Sequence, residues 1–309
     1  MIRRAVKERL HPRNRFRAGY DFPQLIACSQ GLAAFVAPNA YGEPSVDYAN
    51  PAAVKALNQA LLKSAYGLNT WDVPPGYLCP PIPGRSDYLH HMADLLGTVD
   101  DAAGSPRGSV AVLDIGTGAN CIYPLIGASE YGWRFVGSEI DPVALRWARR
   151  LVAANAVVAD LIECRRQTSP LECFTGVIGA GETFDLSMCN PPFHASAEAA
   201  AEGNRRKRRH LSGKTRPATG LNFGGTDGEL WCDGGELAFV RRMIAQSAKR
   251  PDQCHWFTTL VSKSAHLPRL HQSLREVGAV EVRTIEMAHG QKKSRILAWT
   301  FARGSVVNG

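Results

Sequence analysis

No metal-ligand spacing joins the eight cysteines of this 309-residue chain; Cys28, Cys79, Cys121, Cys164, Cys173, Cys189, Cys232 and Cys254 are scattered, without a C-x-x-C pair or a Cys/His cluster. That excludes the common zinc frameworks and a disulfide scaffold, and predicts reduced, buried thiols. Also missing is any run of about 20 uninterrupted apolar residues, the length that a membrane-spanning helix needs. The basic N-terminus has no apolar leader of about 7 to 15 residues before a small-residue cleavage site. The expectation is a cytoplasmic protein with no membrane partner and no metal. Acidic residues fall short too: 28 Asp plus Glu face 36 Lys plus Arg, a formal net charge of +8 with a pI near 9.2. Such a balance favours a polyanionic partner. There is no internal repeat, and 45% hydrophobic residues suit one catalytic domain with an appendage.

Residues 1 to about 18 carry Arg3, Arg4, Lys7, Arg9, Arg13, Arg15 and Arg17 with little apolar periodicity. They read as a flexible arm or a surface-docked segment, with Arg13 and Arg15 as candidate RNA contacts. Val46, Ala53, Val54, Leu57, Ala60 and Leu61 have helical spacing, and Asn50-Pro51 is a good helix start. Cys79-Pro80-Pro81-Ile82-Pro83-Gly84 is too proline-dense for a helix or central strand and predicts an ordered loop or linker. A helix containing Tyr88 to Leu96 follows, and Gly104-Ser105-Pro106 marks a break. The chain thus divides into an N-terminal basic, partly helical region over 1–97 and a catalytic domain over 98–309.

Beyond residue 108, short β-rich apolar runs alternate with helical stretches, which is the signature of an α/β fold with a doubly wound parallel sheet. Strands are predicted over 109–114, 134–138, 161–165, 184–189, 254–260, 280–285 and 295–301. Helices are predicted over 120–130, 142–154, 234–248 and 266–277. The first of these strands ends in Asp114-Ile115-Gly116-Thr117-Gly118-Ala119-Asn120, and a helix begins at Ile122. A glycine-rich strand-to-helix turn lets backbone approach a ligand closely, since glycine tolerates positive φ and carries no Cβ. The third glycine of G-x-G-x-x-G is lacking, whereas an aspartate stands two residues before the first glycine, as in the methyltransferase pattern D-x-G-x-G. The next strand ends in Glu139, placed to accept hydrogen bonds from ribose hydroxyls. Asp114, Gly116, Gly118, Asn120 and Glu139 are therefore the candidate residues for a nucleoside cofactor.

Phe184 to Cys189 reads as a central strand running into Asn190-Pro191-Pro192-Phe193. Ligands of open α/β sheets bind beyond the carboxyl ends of the strands, so this tetrapeptide should share a crevice with Gly116 and Glu139. An exocyclic adenine amino group is a poor nucleophile because its lone pair is delocalised into the ring. The Asn190 side-chain carbonyl and the Pro191 main-chain carbonyl offer acceptors for its two hydrogens. The prolines stiffen the turn, and Phe193 is suited to stack on the base.

Arg205-Arg206-Lys207-Arg208-Arg209 follows the tetrapeptide, either as a solvated charge run or as a grip on phosphates. Gln291-Lys292-Lys293-Ser294-Arg295 is equally a surface turn or a second RNA contact through Lys292 and Arg295. His90 and His91 read as packing or surface residues, His194 as a cap or a base contact, and Trp231, Trp256 and Trp299 as core aromatics.

The strings Leu10-His11-Pro12-Arg13-Asn14-Arg15, Pro80-Pro81-Ile82-Pro83-Gly84-Arg85, Asp114 to Gly127, Asn190 to Phe193 and Gly234-Gly235-Glu236 together resemble the bacterial 23S ribosomal RNA adenine-N6-methyltransferase family. Related eukaryotic adenine-N6 RNA enzymes look similar, and the resemblance covers nearly the whole chain, from about 10 to 302. It implies a Rossmann-like class I fold with a seven-stranded sheet and S-adenosyl-L-methionine as cofactor. The substrate it implies is 23S ribosomal RNA or a large-subunit assembly intermediate, methylated at the adenine-1618 site. By the same resemblance Arg85 contacts the methionine carboxylate, Gly116 the cofactor through its backbone, Glu139 the ribose, and Asn190 the reaction centre. Ser169 stands at or beside a family cofactor position and is not counted with these. Two other readings compete: a protein-glutamine N5-methyltransferase, whose amide poses the same chemical problem, and a noncatalytic RNA-binding protein on a methyltransferase fold.

Overall fold

A computed structural model describes residues 10–97, 110–194, 196, 231–289 and 292–302. Its N-terminal region comprises α1 (Phe22–Cys28), a 3-10 turn (Gln30–Phe35), a short antiparallel pair β1 (Val36–Pro38) and β2 (Pro44–Val46), α2 (Pro51–Tyr66) and α3 (Ile82–Leu96). The α/β unit follows as β3 (Ala111–Ile115), α4 (Ile122–Tyr131), β4 (Arg134–Glu139), α5 (Pro142–Ala153), β5 (Ile162–Arg166) and β6 (Phe184–Cys189). It is completed by α6 (Gly235–Ser247), β7 (Cys254–Val261), α7 (Leu267–Glu276), β8 (Glu281–His289) and β9 (Lys292–Thr300).

Seven strands form one sheet in the order β5-β4-β3-β6-β7-β9-β8. β5, β4, β3, β6 and β7 run parallel, and β9 is inserted antiparallel between β7 and β8. From β3 the chain winds outward to β4 and β5, then returns to the other side of β3 as β6. The winding reverses between β3 and β6, and the crevice beyond their carboxyl ends is where such sheets bind ligands. All seven expected strands of the α/β unit are present; β6 has the expected bounds and the others shift at one or both ends. β3 and β6 carry Val112, Leu113, Leu186 and Met188, each fully buried, as expected for strands covered on both faces.

The proline-dense segment departs from the expected loop: α3 begins within it, at Ile82, with Pro83 in the first turn. A first-turn proline costs nothing there, because the amide it lacks has no intrahelical acceptor. That early start brings Arg85 onto a helix. α2 begins at Pro51 as expected, and the Asn50 carboxamide caps its first turn by accepting from the Ala52 and Ala53 amides.

Residues 10–18 are docked rather than free. Leu10, His11, Asn14 and Phe16 are buried, and the Asn14 amide group donates to Pro83 O and to Asp87 at 2.9 and 2.8 Å. The Arg13 amide donates to His11 Nδ1 at 3.2 Å, which leaves the His11 proton on Nε2, directed to Asp94 at 2.8 Å. One continuous apolar cluster joins Phe16, Leu57, Leu61, Tyr88 and Leu89 of the N-terminal region to Val112, Leu125, Ile126 and Leu186 of the α/β unit. Trp71 Nε1 donates to Asn120 O at 3.0 Å and Trp147 Nε1 to Asp72 O at 2.8 Å. The N-terminal region is thus fastened to the elements that carry the crevice.

Candidate active site

The turn after β3 is built on Gly116 and Gly118, whose φ values of 74° and 67° lie in the left-handed region that disfavours side chains. The Gly116 and Thr117 amides both donate to Ser138 O, at 3.0 and 2.9 Å. Glu139 ties this turn to the next. Its Oε2 accepts from the Gly118 amide at 2.9 Å, and its Oε1 accepts from Ile140 and Asp141 at 2.7 and 2.9 Å. Asn120 has a structural side: its Oδ1 accepts from the Ile122 amide at 3.2 Å at the start of α4.

Beneath the turn, Asp114 is buried and neither of its oxygens accepts a geometrically sound hydrogen bond. Burial pushes its carboxyl up to about 7, while the Thr117 hydroxyl and Arg85 pull the other way and Glu139 adds to the rise. Arg85 reaches in from α3, its guanidinium 5.3 Å from the Tyr123 ring centroid and donating to the Tyr123 hydroxyl at 2.5 Å. The Arg85 Nε is buried without a partner. An unpaired carboxylate and an incompletely paired guanidinium suit a ligand carrying both an ammonium and a carboxylate, as the methionine end of S-adenosylmethionine does. The donor set fits that cofactor, and Glu139 lines the same cleft.

The reacting end lies beyond β6. Tyr88 on α3 shares a 2.7 Å hydrogen bond with Thr258 Oγ1, which donates to Ser187 O at 2.7 Å. This buried chain ties α3 and β7 to β6 three residues before Asn190. Asn190 is half-buried, yet its Oδ1 is sealed from solvent and has no donor. A buried carbonyl without a partner costs about 1 to 3 kcal/mol unless a ligand supplies a donor.

A cleft of about 480 Å³ joins the two ends, lined by Arg85, Gly116, Gly118, Asn120, Glu139, Asn190, Pro191 and Pro192. Asp114 lies under this lining and half-buried Phe193 just beyond it. Gln167, Ser169, Trp231, Phe239 and Arg242 also line the cleft; of these, Ser169 alone was named from the sequence beside a cofactor position, without being counted as a site residue. Gln167 follows the carboxyl end of β5, a position that the strand-end rule could have flagged. Trp231 corrects its reading as a core aromatic: it is half-buried on the cleft wall and forms a backbone bridge with His194. That pairing, with Cys232 N donating to His194 O at 3.1 Å, brings a distant segment to the Asn-Pro-Pro-Phe turn. Buried Glu236 anchors the start of α6 by accepting from the Ser262 amide at 2.6 Å and bonding His266 Nδ1 at 2.7 Å.

Arg13, Arg15 and Arg295 do not line the cleft. Arg13 donates to His90 O at 3.0 Å and to Asp94 at 2.5 Å, and Arg15 pairs with Glu130 at 2.7 Å. Arg295 pairs with Glu286 at 3.0 Å. Lys292 opens β9 opposite His289. Arg205, Arg206, Lys207, Arg208 and Arg209 fall outside the described residues.

A parallel sheet that reverses its winding beside a D-x-G-x-G turn, with an acid ending the next strand and Asn-Pro-Pro beyond β6, defines a class I S-adenosylmethionine-dependent methyltransferase. The family model described as RNA methyltransferase matches residues 4–303, and the chain belongs to that family. Ribosomal RNA large subunit methyltransferase F of Serratia proteamaculans is 54% identical, over 96% of this chain and 88% of that protein. Its counterpart in Pectobacterium carotovorum is 55% identical, over 96% and 94%. Among solved structures, the METTL16 catalytic domain in complex with MAT2A 3'UTR hairpin 1 aligns with a TM-score of 0.80 and 32% identity, over 95% of this chain and 96% of that one. The N-terminal domain of human METTL16 in complex with SAH aligns with a TM-score of 0.74 and 29% identity, over 95% and 99%.

Proposed function

We propose that this protein methylates N6 of an adenine in 23S ribosomal RNA, at the adenine-1618 site that the family resemblance implies. The observation that carries the reading is Asn190 Oδ1, a buried and unpaired acceptor on the turn beyond β6, in the cleft that also holds Gly116 and Glu139. When bound, S-adenosylmethionine supplies an electrophilic methyl group on a sulfonium, a good leaving group. The chain's own work is orientation. Asn190 Oδ1 and Pro191 O accept the two amino hydrogens, which favours a more tetrahedral nitrogen with its lone pair directed at the methyl carbon. No strong base is required beforehand, because the proton leaves the nitrogen after transfer. Phe193, the next residue along the turn, stacks on a base that has left its helix, an extrusion costing a few kcal/mol.

The names of the relatives and the RNA complex of the METTL16 catalytic domain support RNA over a glutamine side chain. Among the described residues no helix is long and apolar enough to cross a membrane, in keeping with work on ribosomal RNA in the cytoplasm. Mass spectrometry of ribosomal RNA from cells with and without this protein tests the reading. Loss of one N6-methyladenine from 23S RNA is the expected result. Unchanged 23S modification, together with loss of a methylglutamine from a protein, would overturn it.

A further inference from the structure

The cleft holds a cationic group that the chemistry above does not use. Arg242, on α6, lines the same cleft as Asn190, Pro192 and Trp231 and lies near Cys232, the residue after Trp231. Its guanidinium lies 5.4 Å from the Phe239 ring centroid, and its Nε is buried without a hydrogen-bond partner. No acidic side chain among the described residues pairs with it. In the same cleft the Trp231 indole N–H is likewise buried and unpaired. Two unsatisfied donors, one of them charged, are unfavourable in a protein interior unless a ligand accepts from them.

The cofactor does not supply that acceptor. S-adenosylmethionine has one anionic group, its carboxylate, and on this reading Arg85, which lies near Asp114 and donates to the Tyr123 hydroxyl, receives it. What reaches the cleft beside Asn190 is the target nucleotide, whose flanking phosphodiesters carry the charge that a guanidinium recognises. The Phe239 ring holds the guanidinium in place, so little freedom is lost when a phosphate arrives.

Building on the reading of an RNA substrate, we propose that Arg242 is a substrate-binding residue that grips a phosphate adjoining the target adenosine, with the Trp231 N–H as a second donor in the same cleft. The test uses the full chain and an RNA oligonucleotide spanning the target adenine, unmodified or with a neutral methylphosphonate at the phosphate on either side of that nucleotide. Arg242→Gln should weaken RNA binding about ten- to a hundredfold, the range for losing hydrogen bonds to a charged group. It should lower the log-log salt slope by roughly 0.7 and leave S-adenosylmethionine affinity within about twofold of wild type. Arg242→Lys should recover part of the loss. One of the two methylphosphonates should impair the wild type and have little further effect on Arg242→Gln. Equal sensitivity of the two proteins to both methylphosphonates, or a loss confined to cofactor affinity, would overturn the assignment. A wild-type protein that transfers no methyl group to ribosomal RNA would overturn the underlying reading, and the inference with it.

Discussion

The two halves of the cleft differ in what already fills their hydrogen-bonding capacity. In the cofactor half, the Glu139 carboxylate accepts from three backbone amides and locks two turns together. Among the described residues, the Asp114 carboxylate oxygens and the Nε of Arg85 are buried there without a partner. In the target half, Asn190 Oδ1, Trp231 Nε1 and Arg242 Nε are all buried and unpaired. Both halves hold buried unpaired atoms, but backbone amides already lock the turns of the first, whereas on the proposed reading the open groups of the second receive the substrate. Preorganised groups aimed at a reacting atom cost nothing to reorganise during the reaction, which is where their catalytic advantage lies.

The sharpest way to break this comparison is Asn190→Ala. If its carbonyl works mainly in the transition state, turnover should fall by roughly 10² to 10³ or more, while RNA and cofactor affinities change little. Methyl incorporation at saturating RNA, beside binding titrations of both ligands, reads the split. Near-wild-type turnover would remove Asn190 from the reaction centre.

Glu139→Ala probes the other half and should cost both binding and stability. Loss of hydrogen bonds to a charged group predicts cofactor binding weaker by about 1.5 to 3 kcal/mol, and three amides left without their acceptor should lower the melting temperature. Calorimetry and a melting curve separate the two. A folded variant with unchanged affinity would leave Glu139 a purely structural role.

Tyr88→Phe tests whether the N-terminal region supports the chemistry through the Thr258–Ser187 chain. The loss of one buried hydrogen bond should reduce stability by about 1 kcal/mol and slow methyl transfer severalfold, with RNA affinity intact. An unaltered rate in the destabilised variant would show that the chain holds the fold and does not aim Asn190.

A further test concerns Asp114 and pH. Its folded pKa, near 7, lies above its unfolded value because burial opposes the charge, so the stability linked to the protonated form is lost as pH rises from about 4 through 7. Asp114→Asn should therefore melt progressively higher than wild type across that window in the absence of cofactor, and should bind S-adenosylmethionine more weakly at neutral pH. Melting curves at the two ends of the window check the first expectation. A parallel pH dependence in both proteins would rule out Asp114 as its source.

The linear chain was most informative where the structure is local. β3, the Gly116-Gly118 turn and α4 are consecutive, so strand, turn and helix signals reinforced one another, and Glu139 ends the very next strand. The same held for β6 and the Asn-Pro-Pro turn. By contrast, Pro83 argued for a loop although it occupies the first turn of α3, the one part of a helix that tolerates proline. The basic segment at residues 10–18 suggested a flexible or surface-docked arm, and charge count could not reveal that Asn14 and His11 are buried against Pro83 and Asp87.

The sequence by itself thus determined the α/β class, the cofactor turn and the Asn-Pro-Pro turn, since periodicity and backbone chemistry act between residues close along the chain. Only the tertiary structure decided how the target half is assembled. Tyr88 supports β6 through Thr258, Trp231 bridges to His194, and Arg242 projects from α6 into the same cleft. These contacts join segments separated by tens of residues, and they form because the sheet reverses its winding between β3 and β6 and gathers their carboxyl ends at one crevice.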